Sequence, residues 1–488
     1  MAFVFLCISI LLWLVRPQDW LPIISGMGLM TYTMLGALVG LWMRPAGIRL
    51  RHLWMSPMDL CVALYLLWIL WVTGDYTNTA KELVSYVGFY LVAALALNTQ
   101  RRLAVFLGCW AAGYAGVAIL ASSTLFGTEL VAGSADLTGG FLGRLCLNTW
   151  IFNNPNSLGH GMAASIAVLY LWLIWRRGVF SRFVGLGLIS LAVWVLYETQ
   201  SKGAYLAGAG ACFICFLFGK SLPVQAFSVA SMFTAGMGAL RLLPRMESLH
   251  ADDEGIMGRL AIWQMAYHAM TDSFFGEGWK KFQAWIMAPE LGLIRKATHG
   301  SYVNVGADLG YGGLLLYVGI LYVGAKTLYR VRLHPDDLSM QRSQRMLLAL
   351  LCAYAVSAWI IDRAYHMDFF ILAGSLAAFH RLVTATDAER GVDEVFLQGA
   401  DHPEKAADDE PMLAQEEQAM EEPEEGEPLA YARLNNLSVE LWPQSLQPLG
   451  ALGLSWKRLA IADALMMAGL TYLVIELWTR FMNGFILI

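Results

Sequence analysis

The chain has 488 residues, of which 57% are hydrophobic and 15% charged, with a formal net charge of −5 at pH 7. Soluble domains carry about 25% charged residues, so the composition excludes an ordinary soluble enzyme, and nothing in it calls for a nucleic-acid partner. The seven cysteines follow no metal-ligand or disulfide spacing and read as small apolar residues; only Cys146 lies in a polar segment.

A membrane-crossing helix needs roughly 20 apolar residues. In chain order, candidate spans centre on 3–15, 23–43, 57–74, 82–98, 103–121, 158–175, 183–198, 203–219, 223–243, 302–326, 346–361, 367–381 and 460–479. The first lacks a basic leading region and a convincing cleavage site, so it reads as a retained span. Every second connection is basic: Arg44, Arg49 and Arg51; Arg101 and Arg102; Arg176, Arg177 and Arg182; Lys220; then Lys326, Arg330, Arg332, Arg342 and Arg345. Basic short loops stay cytoplasmic, so the N-terminus starts inside. The connections 16–22, 74–81, 122–157, 198–203, 244–300 and 362–366 then face outward. The expected fold is all-α: a polytopic helical bundle of about 12 core spans (1–385) with one large periplasmic loop (244–300).

Residues 386–455 differ in kind. Between Asp401 and Glu427 lie a dozen acidic residues, several prolines and almost no aromatics. Such a stretch buries too little apolar surface to offset its ordering entropy and is expected to be disordered, as a cytoplasmic solvating tail or a docking arm. The last apolar segment (456–488) contains Asp463 and Glu476 and reads as an extra span or as an interfacial amphipathic helix.

The polar features gather in the outward connections. In Trp279-Lys280-Lys281-Phe282-Gln283-Ala284-Trp285 the aromatics recur every third residue. That spacing fits a helix lying on the bilayer surface, or an aromatic belt with snorkelling lysines; either attracts phosphate head groups. Arg259 precedes a short amphipathic run, and arginine is the residue that grips phosphate bidentately; the plainer reading is a helix-flanking charge. Lys202 lies in an outward turn, as a phosphate contact or a snorkelling anchor. His299 opens the span that continues through Tyr302, Asn304 and Asp308, and histidine suits general-base work near neutral pH. Asp308 lies inside an apolar span and should face the bundle interior. Asn153, Asn154, Asn156 and His160 crowd the start of another span, and Gly276 and Gly278 form a turn that permits close backbone approach. Asp252, Asp253 and Glu254 read as a solvated run, and no metal or cofactor site is evident.

Taken in order, the motifs NPNSLGH, TQSKGAYLAG, GRLAIWQMA, FFGEGWKKF and HGSYVNVGADLGYGGLLLY resemble the O-antigen ligase and polymerase superfamily, the membrane glycosyltransferases with a Wzy_C-type core. The resemblance covers about residues 140–330; the remaining spans agree in topology alone, and the acidic tail and last span have no counterpart. It implies a bacterial inner-membrane enzyme that needs no cofactor. Its partners would be an undecaprenyl-diphosphate-linked glycan donor, membrane lipids and an acceptor hydroxyl on a glycan, a lipid A-core sugar or a protein. Residue by residue, it implies that Arg259 and His299 are catalytic, the first on the diphosphate and the second as base. Lys202, with Lys280 and Lys281, would bind the donor diphosphate, and Asn154, Asn156, His160, Tyr302 and Asp308 would line the cavity. Lys202 stands where many relatives have arginine, and Gly300 where many have asparagine. The implied reaction is a metal-independent, inverting displacement. Ligase, polymerase and protein O-oligosaccharyltransferase all fit. A transporter or flippase is the rival class, but no internal repeat is visible.

The topology has a direct test. A cysteine replacing Ser248 should react with a membrane-impermeant reagent added outside, and one replacing Ala406 should not; labelling in the reverse sense would overturn the assignment of sides.

Overall fold

In a computed structural model of the chain, the described residues are 1–43, 56–217, 254–287, 298–400 and 457–486, with a few positions between 221 and 231. Most of the span expected at 223–243 therefore lies outside them, as do Arg44, Arg49, Arg51, Lys220, Asp252, Asp253 and residues 401–456.

Every regular element among the described residues is helical. In chain order these are α1 (Ala2–Val15), α2 (Pro17–Trp20), α3 (Leu29–Trp42), α4 (Pro57–Thr73), α5 (Tyr76–Ala96), α6 (Gln100–Leu125), α7 (Ser134–Gly140) and α8 (Pro155–Leu169). There follow α9 (Val179–Glu198), α10 (Lys202–Leu217), α11 (Glu254–Asp272), α12 (Lys281–Ile286), α13 (Ser301–Arg330), α14 (Leu338–Ser357), α15 (Met367–Ala400) and α16 (Ile461–Ile486). Seven helices, among them α13 and α16, are long and apolar enough to cross a membrane, and α1, α3 and α4 are shorter apolar helices. This is a helical membrane protein. Helix α15 runs to Ala400, past the point where the acidic segment was expected to begin.

Local chemistry sets the helix starts. Ser56 caps α4 in a capping box with Asp59 and Pro57 at the first turn. Asn154 caps α8 through a 2.8 Å bond from the Asn156 N–H, again with proline at the first position.

Contacts sort the helix ends into two groups. At one end Arg102 lies over Phe3 at 5.8 Å, Arg345 over Trp175 at 5.0 Å, and Arg381 grips both oxygens of Asp59 at 2.6 and 2.7 Å. Arg381 also donates to Ala94 O at 2.7 Å, near the start of α6 that carries Arg102. At the other end Trp13 meets Trp150 and His366, and the Trp279 N–H donates to Thr73 Oγ1 at 3.3 Å.

Helix α13 is broken at Gly310 (φ 64°, ψ −163°). A break frees backbone groups that apolar surroundings cannot satisfy. Here four of them find partners outside the helix. The Glu277 N–H donates to Ala307 O at 3.0 Å and the Gly278 N–H to Asp308 O at 2.7 Å. Trp68 Nε1 donates to Leu309 O at 2.9 Å, and the Tyr311 N–H donates to Phe274 O at 3.2 Å. The turn after α11 therefore docks into the break. Glycine is required on both sides, since a Cβ at Gly276 would meet Gly310 N at 2.5 Å, and one at Gly310 would collide with Phe274 O.

Helix α16 lies antiparallel along α13. Asp463 accepts from Lys326 Nζ at 2.6 Å and from the Tyr322 hydroxyl at 2.7 Å. Farther along, Trp478 is fully buried against Gly306. Of the two sequence readings of this segment, these contacts support the spanning one.

Gly310→Ala should cost about 2–4 kcal/mol, because it adds left-handed strain to a backbone collision. Gly187→Ala, where an added Cβ meets nothing within 4 Å, should be neutral. Equal apparent melting temperatures for the two variants in detergent would refute the docking argument.

Candidate functional site

At the end of the bundle away from the Arg381–Asp59 pair, the hub is the connection between α14 and α15, residues 358–366. It is stitched to the start of α13. The Ser301 N–H donates to Ala358 O at 2.6 Å and its hydroxyl to Ile361 O at 3.0 Å, while the Arg363 N–H donates back to Ser301 Oγ at 2.9 Å. Asn304 Nδ2 donates to Asp362 at 2.9 Å, and the Tyr302 hydroxyl to Ala355 O at 3.0 Å.

His299 immediately precedes this stitch. It adopts the left-handed backbone conformation (φ 50°) and is half-buried, an uncommon geometry for a residue with a Cβ. Its neighbours are fixed. Trp263 Nε1 donates to Thr298 O at 2.8 Å, and a side chain at Gly300 would press on Trp359 O at 3.2 Å. Trp263 is one helical turn beyond Arg259, so α11 brings the arginine to the same end. Helix α10, which begins at Lys202, abuts the hub where Gly203 packs directly on Ile360.

His160 is buried beneath the hub and shares a 2.7 Å hydrogen bond between its Nδ1 and Ser357 Oγ. Its Nε2 has no partner. The nitrogen belongs to a small cavity of about 40 Å³ lined by Trp110, His160, Tyr354, Ser357, Arg363 and Asp368. Arg363 bonds Asp368 through Nη1 at 3.2 Å, whereas its buried Nη2 is unpaired. The charges of both Arg363 and Arg259 reach His160, which links α11 to this cavity. A third arginine, Arg144, donates to Thr199 O at 3.1 Å and to Asn156 Oδ1 at 2.8 Å, beside the turn that holds Lys202.

The remaining expected residues are distributed as follows. Asn154 caps α8, Asn156 accepts from Arg144, and Tyr302 is buried against Trp359 and Tyr317. Asp308 is fully buried and accepts from the Phe282 N–H at 3.0 Å, facing the interior as expected. The surface-helix reading of residues 279–285 needs correction. Only Lys281–Ile286 is helical, Lys280 is left-handed (φ 60°), and Trp279 and Phe282 point inward while Trp285 is exposed. Docking at the α13 break overrides the three-residue spacing. Lys280 pairs with Glu82 at 2.5 Å, and Lys281 Nζ donates to Thr73 O at 3.1 Å. The charge of Lys280 still reaches Asp362 and His366.

Sequence reasoning did not single out Arg363, Asp362, His366 or Arg144. The available signal was the density of ionisable groups in Asp362-Arg363-Ala364-Tyr365-His366. Burial raises the Asp362 carboxyl to about 6, against the pull of the Ala364 N–H and Lys280. Burial lowers His366 to about 4; Asp368 opposes the shift, while Arg363 and Lys280 add to it. The two shifts have one cause, burial, and run in opposite directions.

Residues 187–318, about a quarter of the chain, match the family model described as O-antigen ligase (Wzy_C). The match runs from α9 through the break in α13 and includes Lys202, Arg259 and His299. It bears out the resemblance read from the motifs. No curated protein sequence matches the chain at a significant level.

The two titrations act on stability with opposite signs. Asp362, raised on folding, favours the folded state below about pH 4, and that contribution is lost as pH rises through 6. His366, lowered on folding, contributes above its ordinary value near 6.5, and that contribution is lost as pH falls towards 4. Asp362→Asn removes only the first. Its melting temperature should therefore fall more steeply than that of the wild type between pH 6 and 4; parallel profiles would refute the assignment.

Proposed function

We propose that this chain, with its O-antigen ligase domain, is a membrane glycosyltransferase. It moves a glycan from an undecaprenyl-diphosphate carrier to an acceptor hydroxyl on the periplasmic face of a bacterial inner membrane. The observation that carries this reading is convergence on the 358–366 connection. Lys202 adjoins it through the Gly203–Ile360 contact, His299 through Gly300 and Ser301, and Arg259 through Trp263 and the reach of its charge to His160. A cationic, partly dehydrated end of a helical bundle suits a substrate with a lipid anchor and an anionic linkage.

The chemistry follows from charge. The acceptor oxygen attacks the anomeric carbon, and the C1–O bond to the diphosphate breaks with its electron pair leaving on the phosphate oxygen. Arg259, with Lys202 assisting, neutralises that oxygen as the bond breaks. His299 takes the acceptor proton, and a single displacement inverts the anomeric centre. The donor carries its own energy, so no nucleotide is needed. Lys280 and Lys281, bonded to Glu82 and Thr73, act at the margin of the diphosphate site, where the charge of Lys280 still reaches the hub. A polymerase or a protein O-oligosaccharyltransferase would use the same machinery with a different acceptor. Gathering of the polar groups at one end, instead of the midplane site typical of transporters, supports an enzyme over a flippase.

Turnover of a lipid-linked donor in membranes separates the roles. Arg259→Ala should lose ~10²-fold or more in rate, and Arg259→Lys should recover part, since the charge survives without the fork. His299→Ala should lose on the order of 10²–10⁴-fold with donor binding little changed. Chelator, and deletion of residues 401–428, should leave turnover unchanged. Full activity in both Arg259→Ala and His299→Ala would defeat the enzyme reading and bring the transporter forward.

A further inference from the structure

Beside the hub, an open cavity of about 550 Å³ lies between the segment after α1 and residues 148–153. Its size falls within the roughly 300–1,000 Å³ of small-ligand clefts. Gln18, Asp19, Asn148, Thr149, Trp150 and Asn153 line it. We propose that this cleft binds a neutral saccharide, and that it is where the acceptor glycan of the transfer rests; the second half of the proposal depends on the transferase reading, the first does not.

The walls carry the argument. Trp150 is 56% exposed yet rigidly held. Its backbone N–H donates to Asp19 at 2.8 Å, and its ring stacks on His366 (centroids 5.4 Å apart, 28° between planes) and meets Trp13 edge-on at 5.7 Å. A large, partly exposed aromatic fixed in place contributes contact area at little entropic cost. Around it stand groups that pair with hydroxyls. Gln18, on the same wall, holds its amide N–H on Leu12 O at 3.4 Å. Asn148 spends its amide N–H on Ala132 O at 2.9 Å, which leaves its carbonyl oxygen as an acceptor, and Asn153 is exposed on the wall. A pyranose matches this set, since its hydroxyls both donate and accept, and its C–H groups can lie against the exposed part of the indole left open by His366 and by the Arg16 guanidinium, which lies over the ring at 5.2 Å. The alternatives fit less well. Asp19 places a carboxylate on the wall, and the guanidinium of Arg16 is spent on that carboxylate at 2.5 and 2.9 Å, so an anion gains no free cation here. The polar walls also disfavour an acyl or prenyl chain.

Position links the cleft to the chemistry. His366, on which Trp150 stacks, belongs to the same short connection as Asp362 and Arg363. A sugar held against Trp150 would be one residue layer from the hub.

The probes are maltotriose and chitotriose, added to the full chain in lipid nanodiscs free of glycoside detergent, with saturation-transfer NMR as the readout. At least one trisaccharide should receive saturation at its ring C–H protons. Asn153→Ala should weaken binding about fivefold, as expected for one lost neutral hydrogen bond. Trp150→Ala should weaken it more, and Trp150→Phe should retain most of it. No transfer to either trisaccharide, equal transfer in the wild type and Trp150→Ala, or transfer only to an uncharged serine-containing peptide would each overturn the saccharide site. In membrane turnover assays, a raised KM for the acceptor alone in Trp150→Ala and Asn153→Ala, with Trp150→Phe close to the wild type, supports the acceptor assignment. A raised KM for the donor alone would assign the cleft to the donor glycan and overturn it. Trisaccharide binding by a wild-type protein that transfers nothing would keep the cleft and sink the transferase reading instead.

Discussion

The half of the bundle around the 358–366 connection depends on how the break in α13 is satisfied. A helix interrupted within apolar surroundings leaves carbonyl oxygens without donors, and no water is at hand to take them. Ala307, Asp308 and Leu309 are supplied by Glu277, Gly278 and Trp68. Those partners come from two distant parts of the chain, so the break pins the turn after α11 and the upper part of α4 to one point. Once the turn is pinned, α11 must run alongside the first part of α13, with Met270 near Gly306 and Trp263 at Thr298. Arg259 and His299, forty residues apart, are brought to one end by that backbone bookkeeping.

The fold was largely legible in the sequence, and the reason is physical. Apolar run length and the alternation of basic loops are properties of single segments, and bilayer thickness and interfacial charge act on segments one at a time. The helices long and apolar enough to cross a membrane, α5, α6, α8, α9, α13, α15 and α16, each coincide with an apolar run read from the sequence. The site was legible in part. Lys202, Arg259 and His299 stood out because charged or titratable residues in otherwise apolar outward connections are few. Arg363 did not, because a five-residue connection looks like a turn until Ser301 and Asn304 are seen bonded to it. Residues 279–285 misled because a three-residue spacing over seven residues is satisfied equally by a helix and by a turn whose aromatics are drawn inward one by one.

The charges show a division of labour. Arg381 with Asp59, and Lys326 with Asp463, are closed pairs at the end opposite the site, each carboxylate also accepting from a tyrosine. Closed pairs of this kind fix register, and a buried partner cannot be removed cheaply. At the hub's end the accounts stay open. Arg363 has one arm on Asp368 and one unpaired, and His160 has one nitrogen on Ser357 and one unpaired. Unsatisfied polar groups in a buried setting are costly, and the two beneath the hub give a polar ligand something to offer.

Helix α16 shows how the added segment is made to fit. An aspartate in an apolar span is tolerated only with a partner, and Asp463 has Lys326, Tyr322 and the Ala460 N–H at 2.8 Å. That cluster fixes one end of α16 against α13. The rest follows by helix geometry, since rises of 1.5 Å per residue on two antiparallel helices carry the contact from Lys326 towards the break. Met467 then packs on Gly319, Trp478 fills the notch at Gly306, and Phe481 reaches Trp263 at 5.5 Å between ring centroids. The small residues on α13 are what admit these side chains, since a Cβ at Gly306 would lie 3.0 Å from the Trp478 ring. A carboxylate that made the last segment look the least suited to a membrane is thus what sets its register. Through Trp263 that register reaches the helix that carries Arg259.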